Sequence, residues 1–273
     1  MNKIFILCTV IVVAAYASPD SSPDLTDSVG TTTSAQLDPT ITENTVLNTN
    51  YSQGQGTIED RTKLAAKLFK DYDKKINPDD VKVQFGITLV DFHVLEETNA
   101  IESHAWLRCV WKDPRLQWNA EEFGGAGLLR IDSDMLWKPD VTLYNSADPV
   151  NMINCWRQSN VLIYANGEIL WVPSCKMLTR CHLTLKKEPY GEQVCGLKFG
   201  SWTFDGFALD LDLYNGKKTM DLTDLNNSSG FEIVSTTAEK TNKMYPCCKE
   251  PYPSLTFNMT IKRIPGEELI KKW

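Results

Sequence analysis

From Val81 onward the apolar residues keep a period of two. Val81, Val83, Phe85, Ile87 and Leu89 alternate with polar neighbours, and near the end Leu255, Phe257, Met259 and Ile261 alternate with Thr256, Asn258, Thr260 and Lys262. Successive side chains of a strand face opposite ways, so runs like these bury one face only. Short strands with turn signals fill the interval. Residues 161–164 and 169–172 flank Ala165-Asn166-Gly167-Glu168, and the Asn-Gly pair predicts a type I′ hairpin with positive φ at both central residues. The body is expected to be all-β, a β-sandwich.

Ahead of it the period is helical. Leu64, Ala65, Leu68, Phe69 and Tyr72 recur on one face between Thr57 and Lys75, which predicts one amphipathic helix, capped near Thr57 and ended before Pro78. Residues 18–56 are rich in Ser, Thr, Asp, Asn and Pro with few large apolar side chains; such a segment cannot repay its ordering entropy and is expected to be disordered. Residues 1–17 read as a signal peptide: Lys3, an apolar run from Ile4 to Val13, then small residues ending at Ala17. The run is short for a membrane span and no similar one follows. These features predict a secreted, extracellular protein with no membrane span in the mature chain. Sequons at Asn50, Asn226, Asn227 and Asn258 offer glycosylation sites, the middle two overlapping.

The formal charge of −7 argues against a nucleic-acid binder, which needs a basic stripe. Removing Lys3 with the leader makes the chain one unit more negative, so an attracted partner is cationic. Nothing points to an enzyme. His93, His104 and His182 have no metal-ligand or triad spacing, and there is no nucleophile elbow, Gly-rich phosphate loop or Cys-x-x-Cys pair. Asp132, Asp134, Asp210 and Asp212 form D-x-D pairs of the kind common in exposed turns. No metal or cofactor is expected.

Aromatic content and cysteine placement stand out instead. Eight Trp and nine Tyr include several beside Gly, Pro and Cys in loops, where they suggest a binding surface. Cys181 and Cys195 enclose thirteen residues; a bridge closing that loop would contribute about 3 kcal/mol on the chain-entropy model. Cys247 and Cys248 are adjacent, and neighbouring Cα atoms about 3.8 Å apart lie below the usual disulfide range, so a bridge there forces a tight turn. Cys109, Cys155 and Cys175 allow three pairings. Cys155 and Cys175 flank the Asn166-Gly167 hairpin, and bridging them requires a bulge or splayed strands to absorb three residues; Cys109 is then a buried free thiol.

The Cys181–Cys195 spacing followed by Gly196-Leu197-Lys198-Phe199-Gly200-Ser201-Trp202, with Tyr245-Pro246-Cys247-Cys248-Lys249-Glu250-Pro251-Tyr252, resembles the extracellular domain of Cys-loop receptors. More narrowly it is similar to α-type nicotinic acetylcholine receptor subunits and their soluble relatives, the acetylcholine-binding proteins. Trp106-Leu107 through Trp111-Lys112-Asp113-Pro114-Arg115-Leu116-Gln117-Trp118, and Trp137-Lys138-Pro139-Asp140 leading to Tyr144-Asn145, extend the likeness. It implies an immunoglobulin-like sandwich with one N-terminal helix over residues 57–264, followed by a short tail at 265–273, and bridges Cys181–Cys195 and Cys247–Cys248. It also implies a homopentamer in which acetylcholine, nicotine or related cations bind between subunits. Carried over by motif, Tyr144, Trp202, Tyr245, Cys247, Cys248 and Tyr252 form the principal face of that site, and Trp106, Arg108, Leu162, Leu170 and Val172 the complementary face. Aromatic rings suit a cation because their faces replace hydration without a buried counter-charge. Trp111 and Cys109 read as core, and Trp118, Trp137 and Trp156 as packing residues.

Two departures bear on mechanism. Within the Cys181–Cys195 loop the apolar stretch that receptors carry is replaced by Glu188-Pro189-Tyr190-Gly191, and an acidic residue expected opposite Lys198 is replaced by Ser254. Both favour a secreted binder over a channel subunit. The alternatives are the extracellular part of a ligand-gated channel subunit, and a secreted β-sandwich lectin.

Overall fold

The computed structural model describes residues 56–266 except 149, 157–158 and 227–229. The expected leader, nearly all of the polar segment, most of the tail, and Asn50 and Asn227 lie outside the described residues.

Helix α1 (Ile58–Phe69) starts at a capping box: the Thr57 hydroxyl accepts from the Asp60 backbone N–H, and Asp60 accepts from the Thr57 N–H. It is shorter than the apolar spacing predicts. Tyr72 lies beyond the helix, where its hydroxyl donates to Asp113 and accepts from the Trp137 N–H, a tertiary attraction that outweighs one more helical turn.

Among the described residues twelve strands follow: β1 (Val81–Leu95), β2 (Ala100–Lys112), β3 (Leu128–Asp132), β4 (Val141–Leu143), β5 (Asn154–Cys155), β6 (Asn160–Tyr164), β7 (Glu168–Trp171), β8 (Ser174–Arg180), β9 (Gln193–Ser201), β10 (Leu209–Leu213), β11 (Phe231–Met244) and β12 (Pro251–Arg263). One sheet runs β10-β1-β2-β7-β6-β3, with β8 also on β2 and β5 on β8; the other runs β11-β12-β9-β4. This is the expected all-β sandwich with one N-terminal helix. Phe85 of the first sheet packs against Phe199 of the second at 4.8 Å between ring centroids, and Phe257 lies 6.0 Å from each. The Cys181–Cys195 bridge joins the end of β8 to β9 and so ties the sheets together.

Long β2 serves two successive partners. Residues 109–112 pair with β7 and residues 100–106 with β8; between them the Pro173 carbonyl accepts from the Leu107 N–H at 3.1 Å. Proline cannot donate to a ladder, so the neighbouring strand breaks there, leaving Val172 exposed at the break.

Three further expectations need correction. The β6–β7 hairpin pairs Ile163 with Ile169 and Leu162 with Leu170. The Gly167 N–H donates to the Tyr164 carbonyl, and Gly167 has positive φ while Asn166 does not. This is a three-residue loop ending in a left-handed glycine, not a type I′ turn. A side chain at Gly167 would also meet the Asp113 carbonyl. Trp156, expected to pack, is 63% exposed: it follows two-residue β5, which gives it no facing layer, whereas Trp111, Trp118 and Trp137 are buried. Cys155 and Cys175 are bridged as a facing pair of β5 and β8, off the hairpin itself, so no three-residue bulge is needed. Cys109 is a buried free thiol.

Candidate functional site

Four aromatics gather at one end of the β11-β12-β9-β4 sheet. Tyr144 follows β4, Trp202 follows β9, Tyr245 follows β11 and Tyr252 lies in β12. The Tyr144 and Trp202 rings stand edge to face at 6.4 Å between centroids, and Tyr245 and Tyr252 at 5.3 Å. Trp202 is 64% exposed, which is costly for an apolar ring unless something covers it. Cys247 and Cys248 are bridged in the turn between Tyr245 and Tyr252, where the Cys248 N–H donates to the Tyr245 carbonyl at 3.1 Å.

Polar groups that sequence reasoning did not single out hold this cluster in place. The Asp140 carboxylate accepts from the Ser201 hydroxyl at 2.6 Å, the Thr203 N–H at 2.8 Å and the Thr203 hydroxyl at 2.7 Å, pinning both sides of Trp202. Asn145 donates to the Gly196 carbonyl at 2.7 Å and accepts from the Lys198 N–H at 3.0 Å, fastening the Tyr144 segment to β9. A Cβ at Gly200 would overlap the Tyr144 hydroxyl, so only glycine lets that ring lie across β9. Burial raises the Tyr144 pKa, with Tyr245 and then Asp140 adding to the shift. The sole sequence signal for these supports is the Pro139-Asp140 and Tyr144-Asn145 pattern.

The predicted complementary residues lie on the other sheet. Trp106 and Arg108 point outward from β2, alternating with buried Ala105, Leu107 and Cys109. Val110, next on that outward face, pairs with Leu170, and Leu170 with Leu162; facing partners share a side, so Trp106, Arg108, Leu162 and Leu170 occupy one surface, with Val172 just past the end of β7. Arg108 is held sideways: its guanidinium lies 3.0 Å from Asp221 and 5.8 Å from the Tyr214 ring centroid. Hydrogen bonds from Thr223, and then the Arg108 contact, lower the Asp221 pKa.

Thus the structure gathers Tyr144, Trp202, Tyr245, Cys247, Cys248 and Tyr252 at one end of their sheet and places Trp106, Arg108, Leu162, Leu170 and Val172 on the outer surface of the opposite sheet. The outer faces of two packed sheets point away from each other, so one chain does not bring both groups around a single ligand. Hollows of about 460 Å³ beside Ile58, Arg61 and Leu128, and about 420 Å³ beside Leu107, Val141 and Trp171, lie apart from the four aromatics.

The remaining marked residues have structural settings. Ser254 is buried and donates to the Thr241 carbonyl; Lys198 has no ion-pair partner among the described residues. In the Cys181–Cys195 loop, Glu188 and Tyr190 are exposed, and Arg263 donates to the Pro189 carbonyl at 3.2 Å while pairing with Glu96 at 2.6 Å. Asp134 pairs with Lys138 and Asp210 with Lys240. Asn226 is exposed and Asn258 half-buried in β12. Among the described residues no helix is long and apolar enough to cross a membrane.

Comparison with known proteins matches residues 61–265 to the neurotransmitter-gated ion-channel ligand binding domain. The chain is 40% identical over 186 residues to acetylcholine receptor subunit beta-like 1 of Drosophila melanogaster, covering 66% of this chain and 35% of that one. It is 34% identical over 219 residues to neuronal acetylcholine receptor subunit alpha-6 of Mus musculus, covering 78% and 44%. It is 33% identical over 223 residues to neuronal acetylcholine receptor subunit alpha-2 of Homo sapiens, covering 80% and 41%. The chain therefore spans less than half the length of these relatives. Its sandwich, its bridged loop and the extent of the match place the chain in the neurotransmitter-gated ion-channel ligand-binding domain family.

Proposed function

We propose that the protein is a secreted, pentameric binder of acetylcholine-like cations, nicotine and related alkaloids included. Each ligand sits between Tyr144, Trp202, Tyr245, Cys247, Cys248 and Tyr252 of one subunit and Trp106, Arg108, Leu162, Leu170 and Val172 of the next. The observation that carries this reading is the open cluster of four aromatic rings on one sheet, while the outward residues Trp106, Arg108, Leu162 and Leu170 lie on the other. A cation over such rings gains about 0.5–2 kcal/mol per desolvated contact, and several contacts suffice for roughly micromolar affinity after ordering costs. Because the two half-sites point apart, joining them takes a head-to-tail contact between copies, the kind that closes into rings. The exposed, charged Glu188 segment favours a binder that works without docking on a membrane domain.

The test is titration of the purified protein with nicotine, read by tryptophan fluorescence, together with sedimentation to count subunits. Micromolar or tighter binding to a pentamer-sized species, lost in Trp202→Ala, supports the reading; full affinity in that variant overturns it. A second reading, the extracellular part of a ligand-gated channel subunit, is favoured by exposed Leu95 and Tyr190 near the Arg263–Glu96 pair. A longer transcript encoding apolar helices would establish it.

A further inference from the structure

The aromatic cluster carries a cation of its own. The Lys243 ammonium lies 4.6 Å from the centroid of the Tyr245 ring. Strand register puts it on the same face as the cluster: Lys243 pairs with Tyr252, Thr241 with Ser254, Ser254 with Gly200, and Gly200 with Thr142. Facing partners share a side and alternate residues return to it, so Lys243, Tyr252, Lys198 and the segment leading to Tyr144 share one surface. Neither Lys243 nor Lys198 has an ion-pair partner among the described residues. The Asp140 carboxylate beside Tyr144 is taken up by Ser201 and Thr203.

We propose that Lys243 sets the class of ligand: its ammonium holds the Tyr245 face that an incoming cation needs and, once displaced, pairs with an acidic group on the ligand. The site then favours ammonium compounds that also carry a carboxylate over those bearing only positive charge. This rests on the reading of the four aromatics as a cation site. Two ammonium groups cannot share one ring without repulsion, so a simple cation must displace Lys243 with nothing offered in return. A zwitterion reaches the same rings and gives the displaced lysine a partner; the flexible stem of Lys243 lets its ammonium swing from Tyr245 to a carboxylate nearby. Ser254 leaves no carboxylate at that position to take the lysine instead.

Choline and glycine betaine share a trimethylammonium head and differ mainly in hydroxyl against carboxylate, which makes them a matched pair of probes. Calorimetric titration of the full chain and of Lys243→Gln is expected to show betaine binding tighter than choline in the unmodified protein. In the variant, choline is expected to bind about three- to fivefold tighter and betaine about three- to fivefold weaker, in the range of exposed charge contacts. Lys243→Arg should retain the betaine preference. Lys243 is exposed, and a thermal melt of each variant confirms that folding is intact. If choline and nicotine bind but the betaine-to-choline ratio is the same with and without Lys243, the role of Lys243 is overturned and the cation site stands. If no ammonium compound binds the unmodified protein, both fall.

Discussion

The Tyr144 hydroxyl donates to the main-chain carbonyl of Ser201 at 2.5 Å, fastening the segment after β4 to the residue that precedes Trp202. Two aromatics far apart in sequence thus share one backbone anchor. Tyr144→Phe keeps the ring and removes that bond. A single hydrogen bond is worth about 1 kcal/mol, so nicotine affinity is expected to fall about fivefold, measured by fluorescence titration.

Exposure separates residues held for packing from those free for binding. Phe199 is fully buried among Phe85 and Phe257, and Phe199→Ala is expected to cost about 3–5 kcal/mol of stability. Trp202, only a few positions along the chain, is mostly exposed. Trp202→Ala should change stability by under about 1 kcal/mol while abolishing nicotine binding. Urea unfolding and ligand titration on both variants check this.

Burial pushes the Cys109 thiol from an ordinary value of 9.0 up to about 12. Below pH 9 folded and unfolded chains both keep the proton, and the full stability contribution is present. Between pH 9 and 12 the unfolded chain ionises while the folded one does not, so stability falls by up to about 1.4 kcal/mol per pH unit. Cys109→Ala should remove that slope, as read from urea unfolding of both proteins between pH 8 and 11.

Asp113 is fully buried and accepts from Arg115 through both carboxylate oxygens, at 2.9 and 2.7 Å, and from Tyr72 at 2.9 Å. Arg115→Ala leaves a buried carboxylate short of its main partner. Stability is expected to drop by about 2–4 kcal/mol, the arginine being partly exposed. Thermal unfolding measures it, and Asp113→Asn in the same background should recover part of the loss.

What the sequence makes legible follows from how local each signal is. Alternation over β1 and β12 needs only neighbouring residues, and it leads to the correct fold class. The motifs around Tyr144, Trp202 and Cys247 are short and dense, so their gathering at one end of the sheet is foreseeable. The turn at Gly167 is less so, because the loop closes against the Asp113 carbonyl, over fifty residues earlier. Trp156 looks like any other packing tryptophan until the brevity of β5 is known. Arg108 can be placed on a face by parity, but its tether to Asp221, 113 positions away, has no trace in local pattern. The same holds for the Asp140 clasp on Ser201 and Thr203.

If the two groups on opposite sheets are the halves of the proposed site between subunits, each mutational defect is one-sided. A subunit carrying Trp106→Ala would still present an intact aromatic cluster, and one carrying Trp202→Ala an intact outer β2 surface. In a ring assembled at random from equal amounts of the two, about one junction in four joins the sound half of each. Two inactive proteins, co-expressed, would then restore about a quarter of the sites. Such intergenic rescue would mean that gene duplication can divide the labour of ligand recognition between partner chains without any change to the sandwich itself.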